Sequence, residues 1–269
     1  MTNIFEFGDE LIRTGDLDPA YICLYGARLQ PEQLERLLLA YLAFYHLGFA
    51  AWVSEAEGED YWKRMETAAI NTEPSPLGGR WPRASERRHF RGPKCVKAIH
   101  HLRRKAPEYW LRSLSECRSE TSVIERVSGW PMFGPWAGFK AADLCERVYG
   151  VPLKFNPNIG LLYDAPRATL DQLAQAEGRS AQAVYADLLD YFGKHRAPPG
   201  FDRACGPMEC ETVACKFGSY RSGQYRIGHD IIEVQRALNG WGETADRLLE
   251  PFPHPTFVMI DGVWTRAVP

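Results

Sequence analysis

The chain has 269 residues, 45% hydrophobic and 25% charged, with a formal net charge of −2. That describes an ordinary globular protein, long enough for one large core or two unequal domains. No apolar run approaches the roughly 20 residues that span a bilayer, because Leu37–Val53 is interrupted by His46 and Gly48. The acidic start, Met-Thr-Asn-Ile-Phe-Glu-Phe-Gly-Asp-Glu, lacks the basic and apolar regions of a signal peptide. No membrane partner and a cytoplasmic location are therefore expected, with the seven cysteines held as thiols.

Residues 1–30 are mixed, with turn signals at Thr14-Gly15-Asp16 and Asp18-Pro19. Pro31 suits a first helical position. From there Leu34, Leu37, Leu38, Tyr41, Leu42, Tyr45 and Phe49 recur at three- and four-residue spacing, predicting one core helix of about 20 residues. A second helix is predicted over about 59–71, and Asn71–Gly79 reads as a loop.

Residues 80–105 hold ten Lys or Arg against the single acid Glu86, a charge of +9. The rest of the chain must then sum to −11. Such a run repels itself unless a polyanion lies opposite, and its arginines are interleaved with Trp81, His89 and Phe90. Guanidinium forks grip phosphate at two points and rings stack on bases, so nucleic acid is the expected partner. A solvated basic loop is the plainer alternative.

Pro93 and Pro107 can each open a helix, and Ser122-Val-Ile-Glu125 has capping-box spacing before a short helix ending near Val127. Gly134-Pro135 then starts a helix over about 134–149, giving helix, glycine turn and helix across 125–150. Gly134 would permit a close backbone approach, and the helix start would present unpaired N–H groups to a phosphate. Further helices are predicted at about 169–177, 181–194, 207–217, 229–239 and 243–250, with Thr169 and Ser180 as caps. Thr256–Thr265 alternates around Asp261-Gly262 as a β-hairpin. Cys205, Cys210 and Cys215 are spaced too widely for an ordinary zinc knuckle and read as buried thiols, so no protein-held metal is expected.

The run Phe133-Gly-Pro-Trp136, Ala141-Ala-Asp143 and Tyr149-Gly-Val-Pro152 resembles the helix-hairpin-helix region of DNA glycosylases. Those enzymes place an essential Asp a few residues beyond the second helix, where this chain has Asn156, Pro157 and Asn158. An amide cannot support a developing oxocarbenium as a carboxylate does. More of the chain, roughly 20–240, is similar to the amino acid:DNA transferases of bacterial viruses, earlier described as α-glutamyl/putrescinyl thymine pyrophosphorylases. The residues that carry this are Leu39–Tyr45, Arg80–Arg83, Glu86–Gly92, Phe133–Trp136, Glu211–Lys216, Gly223-Gln-Tyr225 and Gly228–Ile231.

That resemblance implies a mainly α, glycosylase-like single catalytic domain, with two lobes at about 1–120 and 121–269 around a DNA-binding cleft. It implies a substrate of double-stranded DNA carrying 5-pyrophosphoryloxymethyl-uracil, formed from 5-hydroxymethyluracil. A free amino acid such as glycine or glutamate, or a polyamine, would displace pyrophosphate in an infected bacterial host. The target base must leave the stack, for which Trp81, Phe90 and Trp136 are candidate wedges. Arg80, Arg83, Lys94 and Gly134 join Trp81 and Trp136 as expected DNA contacts. Arg87, Arg88 and Arg91 are the expected pyrophosphate ligands, together with His89; Mg2+ is the candidate cofactor there, its requirement left open. Glu211, Asp230, Asp143 and His89 are the candidate bases for the amine, and Lys216 or Arg226 the candidate cation for an amino-acid carboxylate.

Structural readings stand beside these. Glu211 and Lys216 would pair on a helix surface, Asp143 would pair with Arg147, Gly228-His229-Asp230 would start a helix, and Tyr225 would be core. A base-excision enzyme and a non-catalytic DNA-binding module are the alternative functions.

Overall fold

Proline sets the phase of much of the chain, because its missing N–H costs nothing in a first helical turn. In a computed structural model, which describes residues 3–251, 257–260 and 263–266, it opens α3 (Pro31–Phe44), α7 (Pro107–Leu114), α9 (Pro135–Arg147) and α12 (Pro207–Arg221). The other helices are α1 (Ile4–Thr14), α2 (Pro19–Gly26), α4 (Leu47–Ser54), α5 (Gly58–Ile70), α6 (Gly92–Leu102), α8 (Glu120–Ser128), α10 (Asp164–Glu177), α11 (Ala181–Phe192), α13 (His229–Leu238) and α14 (Glu243–Leu249). The protein is mainly α, as the periodicity predicts. Two short strands, β1 (Phe257–Ile260) and β2 (Val263–Arg266), pair antiparallel with Ile260 opposite Val263. The predicted turn at Asp261-Gly262 lies outside the described residues. No helix among the described residues is long and apolar enough to cross a membrane.

The fold divides into two units at 22/23, 154/155, 233/234 and 251/252. Unit 1 takes residues 1–22, 155–233 and 252–269. Its core gathers Phe7 and Leu11 of α1, Leu170 of α10, Tyr185, Leu188 and Phe192 of α11, and Val213 and Phe217 of α12. Unit 2 takes residues 23–154 and 234–251. There α3 is buried on every side from Glu35 to Phe44, so it is the central helix of that unit.

Several boundaries differ from those the sequence predicts. The N-terminal stretch carries two helices, α1 and α2: Asn3 accepts from the Glu6 N–H and Glu6 reaches back to Asn3, a capping box that starts α1. The predicted 20-residue helix from Pro31 is broken. Tyr45 takes the left-handed conformation at φ 52°, and His46 then caps α4 by accepting from the Phe49 N–H at 3.2 Å. The capping box of α8 is formed by Ser119 and Ser122, not Ser122 and Glu125. Thr169 is no cap but lies inside α10, its hydroxyl donating to the Ala165 carbonyl at 3.1 Å. Ser180 caps α11 as expected.

Helices α8 and α9 pack closely because Gly138 has no side chain; a Cβ there would lie 2.7 Å from Ile124 Cα. The turn between them works differently from the expectation for Gly134. That residue has an ordinary φ of −92° with open space around it, and Met132 instead adopts the left-handed conformation at φ 66°. Gly134 is therefore not required there by conformation or by crowding.

Candidate active site and nucleic-acid interface

In unit 1, α12 and the start of α13 bring two of the expected site residues together. Lys216 Nζ lies 2.6 Å from Asp230 Oδ2, with the lysine side chain 11% exposed and the aspartate 37%. The same ammonium donates to the main-chain carbonyl of Asp16 and sits 5.3 Å from the Tyr225 ring centroid. Burial alone would lower the Lys216 pKa, but Asp230, Asp16 and Asp18 outweigh it and the net direction is up. Lys216 is thus a fixed, charged ammonium beside a carboxylate that solvent can reach.

Asp16 is the residue that sequence reasoning misses. It is fully buried. One carboxylate oxygen accepts from the Tyr225 hydroxyl and from the Gly228 N–H at 2.6 Å, and the other from the Ile231 N–H at 3.1 Å. Burial pushes its carboxyl pKa up, against the lowering pull of Lys216 and the Tyr225 hydrogen bond. Tyr225 is core, as its plainer reading holds, and burial raises its phenol strongly. The local signal is only Thr14-Gly15-Asp16 at a turn; the partners lie some 200 positions away and no spacing rule reaches them.

The other expected residues of unit 1 are placed differently. Glu211 is buried within α12, five positions before Lys216 and not one turn from it. Arg226 is exposed, with its guanidinium 5.7 Å from the Tyr220 ring and Nη1 donating to the Tyr225 carbonyl at 3.2 Å. Cys205 and Cys210 are buried, Cys215 is half-buried, and burial pushes the Cys210 thiol up.

In unit 2 the basic run separates into buried and exposed members. Arg87 is buried: Nε donates to Ala43 O at 2.8 Å and Nη1 to Met132 O at 3.1 Å, between the rings of Phe90 and Phe133 at 4.7 and 4.8 Å. Burial lowers its pKa to about 10. Arg83 donates to the carbonyls of Ala68 (3.0 Å) and Phe90 and lies over Phe44. Both arginines staple the segment to the core, Arg83 half-buried and Arg87 buried with its Nη2 left without a hydrogen-bond partner among the described residues. Trp81 and Phe90 are likewise buried, Trp81 against Phe49, Trp52 and Trp241 with its indole N–H on Glu73 O at 2.8 Å. Neither ring can stack on a base without leaving that core.

Arg80, Arg88, His89, Arg91 and Lys94 are exposed, as are Lys97, Arg104 and Lys105. Lys94 and Lys97, three apart, share the outer face of α6, while Cys95, Ala98, Ile99 and Leu102 pack inward. The staples thus hold the segment so that its remaining cations meet solvent. At the start of α9, Trp136 is half-buried with its ring edge-on to Tyr45 at 4.9 Å, and Gly134 is exposed. Asp143 is fully buried; Arg147 lies 3.4 Å and Lys140 4.0 Å from its oxygens, so its charge is answered within α9.

Comparison with known proteins supplies the remaining finding. A family described as amino acid:DNA transferase matches residues 11–225. A glycinyltransferase of Pseudomonas phage PaMx11 is 34% identical over 94% of this chain and 97% of its own length. A putrescinyltransferase of Delftia phage PhiW-14 is 25% identical over 92% of this chain and 82% of its own.

Proposed function

The chain belongs to the amino acid:DNA transferase family, and from that premise we propose that it joins the amine of glycine to 5-pyrophosphoryloxymethyl-uracil in double-stranded phage DNA. The observation that carries the choice of glycine is the end-to-end match to the phage glycinyltransferase. The match to a putrescinyltransferase covers nearly as much of this chain at lower identity, so a polyamine is the second donor to test.

The chemistry is a displacement at the exocyclic carbon. The ammonium of glycine gives one proton to a carboxylate, and its nitrogen forms a bond to that carbon. The carbon–oxygen bond breaks, and pyrophosphate leaves with the electron pair. A zwitterion with a carboxylate and an ammonium on one carbon calls for a cation and an anion side by side. Lys216 and Asp230, 2.6 Å apart, have that arrangement. In this reading Lys216 takes the glycine carboxylate and the half-exposed Asp230 the amine proton. Glu211, buried in α12, is the reserve base, and Arg226 the reserve cation.

In unit 2, the exposed Arg88, His89 and Arg91 are the proposed cations for pyrophosphoryl oxygens. Also in unit 2, Arg80 and Lys94 would bind the DNA backbone, and Trp136 with the N–H groups after Gly134 would meet a DNA strand. The test is release of pyrophosphate from DNA carrying the activated base. Release that requires glycine supports the proposal; release unaffected by glycine, or none with any amine, removes it.

A further inference from the structure

Lys216 has no local reason to hold one position. Lysine has a flexible four-carbon stem and three ammonium donors, and only contacts from elsewhere can fix them. Two donors are accounted for, on Asp230 Oδ2 and on the main-chain carbonyl of Asp16. Asp230 in turn stands in the first turn of α13, so its place depends on what holds that turn. The turn is held by the Asp16 carboxylate, which accepts from the N–H groups of Gly228 and Ile231 and from the Tyr225 hydroxyl. One residue between α1 and α2 therefore fixes both members of the pair, Lys216 through its carbonyl and Asp230 through the helix that carries it.

Resting on the glycine-transfer reading above, we propose that Asp16 is a positioning residue for the amino-acid end of the site, holding Asp230 against Lys216 and the third ammonium donor of Lys216 open to a carboxylate. A fully buried carboxylate with three donors is costly to assemble and is retained only where its donors hold it in one geometry. The donors come from α13 and the chain leading into it, so the clamp orders the segment that carries Asp230. Asp16 itself touches neither substrate nor the reacting atoms in this account.

Asp16→Asn is the direct test. An amide keeps the volume but turns one oxygen into a donor facing an N–H or a hydroxyl, which loosens the start of α13. Initial rates at varied glycine should show the KM for glycine raised about tenfold or more, with kcat at saturating glycine within about threefold and DNA affinity unchanged. A merely structural defect lowers the active fraction, which reduces kcat and leaves KM alone. Tyr225→Phe removes one donor and no backbone contact, and should raise KM by about threefold. If Asp16→Asn does not fold, this variant decides the matter. Amide exchange at Gly228 and Ile231 should quicken in Asp16→Asn. An unchanged KM in the variant that folds overturns the positioning role. If Lys216→Met also leaves KM unchanged, the assignment of Lys216 has failed instead; if the unaltered protein never uses glycine, the functional reading has.

Discussion

The Lys216 ammonium and the Asp230 carboxylate lie 2.6 Å apart, one shielded and the other open to solvent. The asymmetry separates their expected roles. Lys216→Met should raise the KM for glycine, because a carboxylate loses its cation. Asp230→Asn should lower kcat by about 10²–10⁴-fold, the usual worth of a positioned base. Glu211→Gln should lower kcat far less than Asp230→Asn. Steady-state rates at varied glycine check all three, and equal losses from Glu211 and Asp230 would return Glu211 to the first place among the bases.

Arg87 and its neighbours Arg88 and Arg91 should behave in opposite ways. Arg87→Ala removes two hydrogen bonds, to the buried Ala43 carbonyl and the part-buried Met132 carbonyl, and the filling between Phe90 and Phe133. It should cost about 2–4 kcal/mol in denaturant unfolding. Arg88→Ala with Arg91→Ala should leave stability within about 0.5 kcal/mol and slow pyrophosphate release. Lys94→Ala with Lys97→Ala should weaken binding to any duplex and lower the slope of log affinity against log salt by about one for each phosphate no longer neutralised. A slope that does not change would place α6 away from DNA.

Two glycines of the α8–α9 hairpin make a second contrast. Gly134→Ala fits an ordinary φ with space around it and should be tolerated. Gly138→Ala drives a methyl into the Ile124 backbone and should cost about 1–3 kcal/mol, as overpacking does. Thermal unfolding of the two variants distinguishes them, and equal stability would mean that α8 and α9 are not so closely packed.

His46 gives a pH dependence with a definite sign. Burial pushes its pKa down to about 4, and its neutral Nδ1 is the acceptor that caps α4. A histidine with a depressed folded pKa adds stability that is complete above the ordinary value near 6.5. That stability is lost progressively from there down to the folded value, because the unfolded chain takes up a proton that the buried, capping ring does not. Unfolding free energy should fall by up to about 3 kcal/mol between pH 6.5 and 4 from this group. His46→Asn keeps a capping oxygen without titrating, so it should flatten that part of the profile.

Much of the fold can be read locally. The prolines at 31, 107, 135 and 207 and Ser180 mark helix starts by a chemistry that acts within a turn. The break at Tyr45 is hidden because a left-handed tyrosine bears no glycine or proline flag, and His46 caps by its ring nitrogen, an uncommon device. The capping box at Asn3 and Glu6 is legible, yet the turn signals that follow it mask the helix it starts. In the site, the charge of 80–105 is plain from the sequence. Which arginines stay outside is not, since Arg83 and Arg87 are claimed by carbonyls of Ala68, Ala43 and Met132. Lys216 and Asp230 are both candidates on sequence alone, but their contact, and Asp16 behind it, exist only after α12 and α13 are packed.

Amino-acid transfer leaves a covalent mark on DNA, and nucleoside mass spectrometry reads that mark. DNA carrying 5-pyrophosphoryloxymethyl-uracil, incubated with the protein and isotopically labelled glycine, should yield on digestion a thymidine derivative that carries the label on its exocyclic carbon. Abasic sites in place of the activated base, or an unlabelled product, would contradict amino-acid transfer.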